Sequence, residues 1–320
     1  MGTYLPRNLV SSDELDLRHG RSVGTSAALG IQTRSVAASD ETSSMMASEA
    51  AKAAINDAGW DRCDVDALIC ACGVGEQAIP GTAPLVQRNL GLGRSGIPAI
   101  DVNATCLSFL VGLDHALMGL LLGRWQRVVI ASADIASAAL NHDDVRSSAI
   151  FGDGAAAVAI EVGGRSVLLA SSIATYGDHA DLCGLEAGGT KLRPHDDMEA
   201  FLGGSRFHMA GPRLFKATAK LLPPFLSRLF TDAGLSMHAC DTVIPHQASS
   251  HALRHLEGVF QGGPVPRIMN IFAQSGNQIA ASLPHALAEA KRRDWLAEGS
   301  TSLLIGSSAG LSLGGALIRW

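Results

Sequence analysis

The order of the predicted elements is the feature that most constrains the fold, because the same order occurs twice. Short apolar runs alternate with segments of helical periodicity, which is typical of α/β proteins with buried sheets. In each half the order is helix, strand, helix, strand, helix, strand, strand, with a divide near Gly163-Gly164. We therefore predict an α/β fold made of two duplicated halves, residues 1–163 and 164–320.

The predicted elements share clear hydrophobic periodicity. In the first half they are helices over Ser43–Ala58, Ala83–Leu90 and Cys106 to about Arg124, and strands over Val65–Cys72, Ala99–Val102, Arg127–Ala133 and Ala155–Glu161. In the second half they are strands over Val167–Thr175, Thr242–Pro245, Arg267–Ile271, Ser302–Ile305 and Leu311–Trp320, and helices over Pro212–Ala233, Ser249–Val259 and Ile279–Lys291. Tyr176–Ser205, rich in Gly, Asp and His, is predicted to be a long irregular loop, a type of segment that is often functional.

Composition limits the class of protein. The chain has 320 residues, 47% of them hydrophobic, and a net charge of −5, so a general nucleic-acid-binding role has no electrostatic support. The first residues lack a signal-peptide pattern, and the longest apolar stretch, Leu107–Leu122, is broken by Asp114 and His115. We expect a cytoplasmic protein without a membrane or nucleic-acid partner.

The cysteines are scattered and do not form the pattern of a disulfide framework. They are Cys63, Cys70, Cys72, Cys106, Cys183 and Cys240. Cys70-Ala71-Cys72 lacks the second Cys or His pair that a structural zinc site needs, so we expect no metal.

Cys106 stands where an apolar run ending at Val102 gives way to an amphipathic helix. A thiol in the first turn of a helix meets unpaired N–H groups and the positive end of the helix dipole, which favour the thiolate. The alternative is a buried core cysteine, which is the commoner fate of a free Cys.

Two later polar residues stand at similar boundaries. His246 follows the strand Thr242–Pro245, and the end of a strand is where α/β folds place catalytic groups. Asn277 precedes a helix, where Asn alone is usually an N-cap. Because Cys106, His246 and Asn277 each begin or precede a helix, we predict that they face one cavity and support nucleophilic cysteine chemistry.

Three other motifs favour structural interpretations. Gly91–Gly96 has the spacing of a dinucleotide fingerprint but follows a helix and precedes a strand, which indicates a helix C-cap and turn. Phe151–Ala156 contains an Asp-Gly pair and indicates a tight turn into a strand. His251 and His255 are one helical turn apart but lack a third ligand, so we expect surface or interface histidines.

Several motifs together resemble the β-ketoacyl-acyl-carrier-protein synthase III family, whose members are condensing enzymes of the thiolase fold. The motifs are Asp101–Cys106, Phe151–Ala155, Met209–Gly211, Pro245–Ala248, Gly276–Pro284 and the glycine-rich C-terminal segment. The resemblance covers nearly the whole chain. It implies a five-layer α-β-α-β-α sandwich in a homodimer, with acyl-CoA or acyl-carrier protein as substrates and no cofactor.

The family resemblance also implies residue roles. Cys106 would take an acyl group from a thioester, with the backbone amides of Cys106 and, by position, Ala309 as the oxyanion hole. His246 and Asn277 would stabilise the enolate that forms when a malonyl thioester loses carbon dioxide.

The chain departs from the family pattern at positions expected to contact substrate. Ser307 begins a Ser-Ser-Ala-Gly segment where three glycines are usual, Gln278 replaces a common Thr, and His251 stands where primary-metabolism members carry Arg. Ile79 occupies the place of a Phe that a partner subunit lends to the acyl pocket, which predicts a deeper pocket.

The resemblance also implies a substrate contact at Gly211 and on the helix that follows it. Lys216 is kept there and, with Arg213, Arg254 and Arg206, would form a patch for docking a carrier protein.

The sequence leaves four functional hypotheses. The first is decarboxylative condensation of an acyl group with a malonyl or β-ketoacyl thioester in specialised fatty-acid or polyketide metabolism, favoured because the CoA-contact positions are altered. The others are acyl transfer to a small alcohol or amine, a silent partner subunit of a condensing heterodimer, and a cysteine hydrolase, since constellations of Cys, His and Asn recur on unrelated folds.

Overall fold

The computed structural model describes residues 1–320 as fourteen strands and ten α-helices. The strands are β1 (Gly2–Tyr4), β2 (Asn8–Ser11), β3 (Thr33–Val36), β4 (Ala67–Cys70), β5 (Ala99–Asp101), β6 (Arg127–Asp134), β7 (Gly154–Glu161), β8 (Val167–Thr175), β9 (Cys183–Gly184), β10 (His208–Met209), β11 (Thr242–Pro245), β12 (Arg267–Ile268), β13 (Thr301–Ser308) and β14 (Ser312–Arg319). The α-helices are α1 (Ser12–Arg18), α2 (Ser43–Asp57), α3 (Thr82–Asn89), α4 (Ser108–Leu121), α5 (Val145–Ser148), α6 (Met198–Gly204), α7 (Gly211–Asp232), α8 (Ser250–Val259), α9 (Phe272–Ser275) and α10 (Ser282–Arg292).

Two five-stranded sheets have the same topology. The first has the order β1-β7-β6-β4-β5, and the second has the order β8-β14-β13-β11-β12. In each, four strands run in one direction and the fifth, β7 or β14, is antiparallel to them, so strand for strand the halves match. This confirms the predicted duplication of the fold. We propose Gly163 and Gly164 as the boundary, because all strands of the first sheet precede them and all strands of the second follow.

The alternation of side chains along the strands produces the layers. Ile69 and Ile130 of the first sheet and Leu304 of the second point inward, where they pack with α4 and α10 in one buried cluster. Leu68 and Val129 point outward against α2 and α3. On the other side, α7 and α8 cover the outer face of the second sheet. The result is the predicted five-layer α-β-α-β-α sandwich.

Hydrophobic periodicity predicted the buried elements well and the peripheral ones poorly. The prediction that Tyr176–Ser205 is irregular is wrong in part, since it contains a 3₁₀ helix (Gly177–Leu182), β9 and α6. The short N-terminal elements β1, β2, β3 and α1 were not predicted, because three to seven residues are too few to show a period.

One predicted turn is confirmed. Gly91 has a φ of +77° and its N–H bonds the carbonyl of Arg88 directly after α3, as expected of a helix end rather than a phosphate loop. The tight turn predicted at Phe151–Ala156 is wrong, because Phe151 pairs with Asn277 in an isolated bridge and the segment continues without a turn into β7 at Gly154. None of the helices combines the length and the apolar character needed to cross a lipid bilayer.

Candidate active site

Cys106 lies in a tight turn between β5 and α4, which we call the Cys106 turn (residues 103–108). The side chain of Asn103 accepts a hydrogen bond from the Thr105 N–H (2.9 Å), and Ser108 Oγ accepts one from the Ala104 N–H (2.9 Å). Thr105 has a φ of +51°, which costs energy for a β-branched residue and is typical of functional sites. Cys106 as a residue is partly exposed, unlike the four cysteines of the core.

The second half contains the same turn, the Asn277 turn (residues 277–282). Asn277 Oδ1 accepts from the Ile279 N–H (2.9 Å), Ser282 Oγ accepts from the Gln278 N–H (2.8 Å), and Ile279 also has a φ of +51°. In each turn an Asn and a Ser five residues later hold a strained residue between them. Asn277 is therefore not a simple N-cap of α10, because its side chain bonds a turn that precedes the helix.

The two turns meet at the centre of the molecule. The 3₁₀ helix that contains Cys106 packs against the 3₁₀ helix that follows Asn277, and both lie between the two sheets. The Cys106 turn also packs against β13, where Gly306 leaves space between Leu107 and His246. A Cβ on Gly306 would lie 3.0 Å from His246 Cβ and 3.0 Å from Leu107 Cδ2.

His246 is buried at the end of β11, and its Nδ1 has no hydrogen-bond partner. Burial lowers the pKa of His246 to about 4, so the imidazole is neutral at pH 7. Asn277 Nδ2 donates to the carbonyl of Ala248 at 3.4 Å. The amide of Asn277 is thus tied to the loop that carries His246.

Burial sets the state of the Cys106 thiol. The pKa of Cys106 is raised to about 12, chiefly by burial and to a smaller extent by the charge of Asp134 and the nearby thiol of Cys183. The N–H groups of Ala309 and of Cys106 itself act on the sulfur and oppose this rise. The expectation that the helix start makes Cys106 a thiolate is therefore wrong for the substrate-free protein, because desolvation outweighs the amides and the helix dipole.

Ala309 reaches the sulfur from the other half of the molecule. It lies in the turn between β13 and β14, and its carbonyl accepts a long hydrogen bond from Thr105 Oγ1 (3.5 Å). The next residue, Gly310, directs its N–H at Cys183. Consecutive amides of one turn therefore face two thiols.

A small cavity lies beside His246, between the second sheet and the outer helices. It is lined mainly by apolar side chains of α7, α8, β13 and β14, and by Gly306 and Ser307. His255 also lines it, with a buried Nε2 that has no partner. Most of its lining is apolar, with a few polar side chains such as His246 and Ser307, and such a lining is usual for sites that bind small molecules.

Comparisons with known proteins give a consistent family. The family model described as 3-oxoacyl-[acyl-carrier-protein] synthase III matches residues 100–177, and the model of its C-terminal part matches residues 230–320. Together they span more than half of the chain. The chain belongs to the 3-oxoacyl-[acyl-carrier-protein] synthase III family. It is accordingly an acyltransferase of the condensing type with the thiolase fold.

Relatives of this synthase match over its full length. β-Ketoacyl-[acyl-carrier-protein] synthase III of Neisseria meningitidis serogroup C is 30% identical, and that of Methylococcus capsulatus is 31% identical, each covering 100% of the chain and 97% of the relative. The crystal structure of 3-oxoacyl-(acyl carrier protein) synthase III from Pseudomonas aeruginosa PAO1 superposes with a TM-score of 0.87 at 29% identity, covering 100% of this chain and 96% of that one.

The basic residues predicted to dock a carrier are grouped on two helices of the synthase. Arg213 and Lys216 on α7 and Arg254 on α8 are exposed. The ring of Phe215 contacts His251 across the two helices, with centroids 4.4 Å apart. Arg206 is instead paired with Asp143 (3.4 Å), so its charge is partly neutralised.

The other two predicted substrate contacts of the synthase differ in position. Ile79 is 87% exposed on the loop before α3 and is not buried against Cys106 of its own chain. Gly211 begins α7, where a Cβ would make only an ordinary contact with Met209, so nothing there requires glycine.

Two buried polar groups in the synthase make hydrogen bonds that the sequence did not predict. Asp134 ends β6 with no solvent exposure and bonds amides of both halves. Gln278 joins the Asp153 carbonyl (3.0 Å) to His285 Nδ1 (2.7 Å), directly beside Asn277. For Asp134, the only signal in the sequence was its position at the end of a buried strand. For Gln278, the signal was the glycine at position 154, which leaves room for its side chain.

Proposed function

We propose that Cys106 carries the acyl group of a decarboxylative condensation. The sulfur attacks the carbonyl carbon of an acyl thioester, the amides of Cys106 and Ala309 hold the oxyanion, and the carrier thiol leaves with the proton of the Cys106 thiol. The observation that carries this proposal is that the turn of Ala309, from the second half of the chain, meets the Cys106 turn: the Ala309 carbonyl accepts from Thr105 Oγ1 (3.5 Å), and the Ala309 N–H faces the Cys106 sulfur.

The second half-reaction uses His246 and Asn277. A malonyl thioester loses its carboxylate as carbon dioxide, and the electron pair of the broken carbon–carbon bond becomes an enolate. The enolate attacks the acyl carbonyl and expels the sulfur of Cys106, which takes up a proton. A neutral imidazole is suited to donate a hydrogen bond to the enolate oxygen, and burial keeps His246 neutral.

The experiment supplies an acyl thioester and a malonyl thioester labelled with ¹³C in the free carboxyl group. Release of one labelled carbon dioxide per new carbon–carbon bond supports condensation. Acyl transfer to an added alcohol or amine, with the label retained in the malonyl group, would refute it. Asn277→Ala is the matched variant, because it should still accept the acyl group on Cys106 but release little carbon dioxide.

The related synthases are named for acyl-carrier-protein substrates, and the surface of α7 and α8 supports the same substrate class here. Lys216 and Arg254 would meet the acidic surface of a carrier, and such rim charges act mainly on association. Lys216→Glu should raise the KM for a carrier-bound substrate several-fold with little change in kcat. Arg165→Glu is the control, because Arg165 is an exposed cation in the linker between the halves; an equal rise in KM there would contradict the docking surface.

The cellular role we propose is specialised fatty-acid or polyketide synthesis. His251 in place of an Arg, Ser307 in the C-terminal turn and the exposed Ile79 all alter positions expected to contact substrate. Because Ile79 does not cover Cys106 of its own chain, we further propose a homodimer in which it lines the acyl pocket of the second copy. A panel of acyl thioesters of increasing length tests this. Ile79→Phe should shorten the longest chain accepted, and an unchanged length profile would contradict the proposal.

A further inference from the structure

The structure points to a positioning role for Asp134 in the condensing half-reaction, and we propose that its carboxylate holds the Asn277 turn in place. Asp134 Oδ2 accepts the N–H of Ala280 (2.9 Å), three residues after Asn277. Its Oδ1 accepts the N–H groups of Gly73 (2.8 Å) and Val74 (3.0 Å) at the start of the loop before α3. One buried carboxylate thus joins segments of both halves. This role rests on the proposed function of Asn277.

The symmetry of the two turns explains why a carboxylate is placed there. Ala280 occupies in the Asn277 turn the position that Cys106 occupies in the Cys106 turn, three residues after the Asn of each. Strands β6 and β13 match in the two sheets, so Asp134 at the end of β6 corresponds to Ser308 at the end of β13. The amide of Ala280 is occupied by the oxygen of Asp134, whereas the corresponding amide of Cys106 acts on the sulfur. The Asp134 carboxylate is therefore bound by the Ala280 amide in the way that a substrate oxyanion would be bound by the Cys106 amide in the other half.

The burial of Asp134 gives this anchor a single position. The residue has no solvent exposure, and each oxygen bonds backbone that belongs to a different half. Ile279, between Asn277 and Ala280, has a strained positive φ and packs its Cγ2 where a Cβ on Gly73 would lie, 2.4 Å away. Strain of this kind persists only where the surrounding structure holds it. Asp134 bonds the residue after Ile279, Ala280, and also Gly73, against which the Ile279 side chain packs.

The anchor acts differently on the two half-reactions. Asn277 is needed for the enolate and not for acylation, so loosening its turn slows condensation. The Asp134 oxygens bond the amides of Gly73, Val74 and Ala280, whereas the Cys106 turn is closed by its own Asn103 and Ser108 side chains, so replacing the carboxylate does not slow acylation. A residue that only stabilised the fold would reduce both half-reactions together.

The test is Asp134→Asn, which keeps the shape but replaces one acceptor oxygen by a donor that faces an N–H group. Acylation of Cys106 is followed by intact mass, and condensation by release of labelled carbon dioxide. We expect acylation at the wild-type rate or faster and condensation slower by on the order of 100-fold, the effect of a displacement of about 1 Å. The control is Asp66→Asn. The Asp66 carboxylate also accepts two backbone N–H groups, those of Gln126 and Arg127, but it lies at the opposite end of strands β4 and β6, so both rates should stay unchanged.

A second variant decides the matter if Asp134→Asn does not fold. Asp134→Ser removes the carboxylate and places there the residue found at the matching end of β13, Ser308, and it should give the same loss of condensation with acylation retained. An unchanged ratio of the two rates in a folded variant of either kind would overturn the role of Asp134. Absence of any acyl adduct on the wild-type protein would instead overturn the function proposed for Cys106.

Discussion

Gly306 and Gly314 provide a test of whether the spacing between Cys106 and His246 matters for catalysis. The two glycines face each other across β13 and β14. A Cβ on Gly306 would lie 3.0 Å from both His246 Cβ and Leu107 Cδ2, whereas a Cβ on Gly314 would press on Leu107 and Leu110 at 3.1 and 3.2 Å and not on His246. The two Ala variants are therefore equally tight but differ in the neighbour that must move.

The magnitude follows from these distances. Ordinary Cβ contacts begin at 3.4 Å, so His246 and Leu107 must each move by roughly half an ångström in Gly306→Ala. A displacement of 1 Å in an active site costs on the order of 100-fold, so we expect a loss of about tenfold in the condensation rate. Both variants should lose a similar free energy of unfolding, on the order of 1–3 kcal/mol from overpacking.

The assay compares condensation rates of the two variants at saturating substrate, together with their thermal unfolding. Gly306→Ala should be about tenfold slower than Gly314→Ala at similar stability. Equal rates in the two variants, or a Gly306→Ala enzyme as fast as wild type, would refute the reasoning that His246 is positioned through Gly306.

Two further predictions concern titration. Because burial raises the pKa of Cys106 to about 12, alkylation of Cys106 by iodoacetamide in the substrate-free enzyme should rise about tenfold per pH unit between pH 7 and 9, and a plateau below pH 8 would contradict the burial argument. The pKa of His246 is lowered to about 4 from an ordinary value of 6.5, so its contribution to the free energy of unfolding is fully present above pH 6.5 and is lost as the pH falls towards 4. That loss of unfolding free energy is about 3 kcal/mol, and denaturant unfolding at several pH values should show a smaller loss in His246→Asn. The same dependence of stability on pH in wild type and His246→Asn would show that the pKa of His246 is not lowered by burial.

The sequence allowed the buried layers and the three catalytic candidates to be predicted for one physical reason. Strands such as Val243–Ile244 and helices such as α10 bury a face whose period is visible in a single chain. Cys106, His246 and Asn277 stand where those hydrophobic periods end, and the ends of strands are where α/β folds place polar groups. The topology of the two sheets then brings the three segments together.

What the sequence did not reveal depends on contacts between distant residues. The pKa of Cys106 reflects burial by both halves, which no local pattern records, and so the expected thiolate was wrong. Asp134 bonds three amides that lie 60 or more residues away along the chain. The shared turn geometry was also invisible in the letters, since only an Asn and a Ser recur at the same spacing in residues 103–108 and 277–282.

Intact-mass spectrometry of the protein after incubation with acyl thioesters tests the central claim most directly. The account predicts that the wild-type chain gains the mass of one acyl group, that Cys106→Ala gains none, and that Cys183→Ala, which removes the neighbouring thiol, still gains one. A wild-type protein that stays unmodified across acyl chains of many lengths, or an adduct that persists in Cys106→Ala, would contradict it.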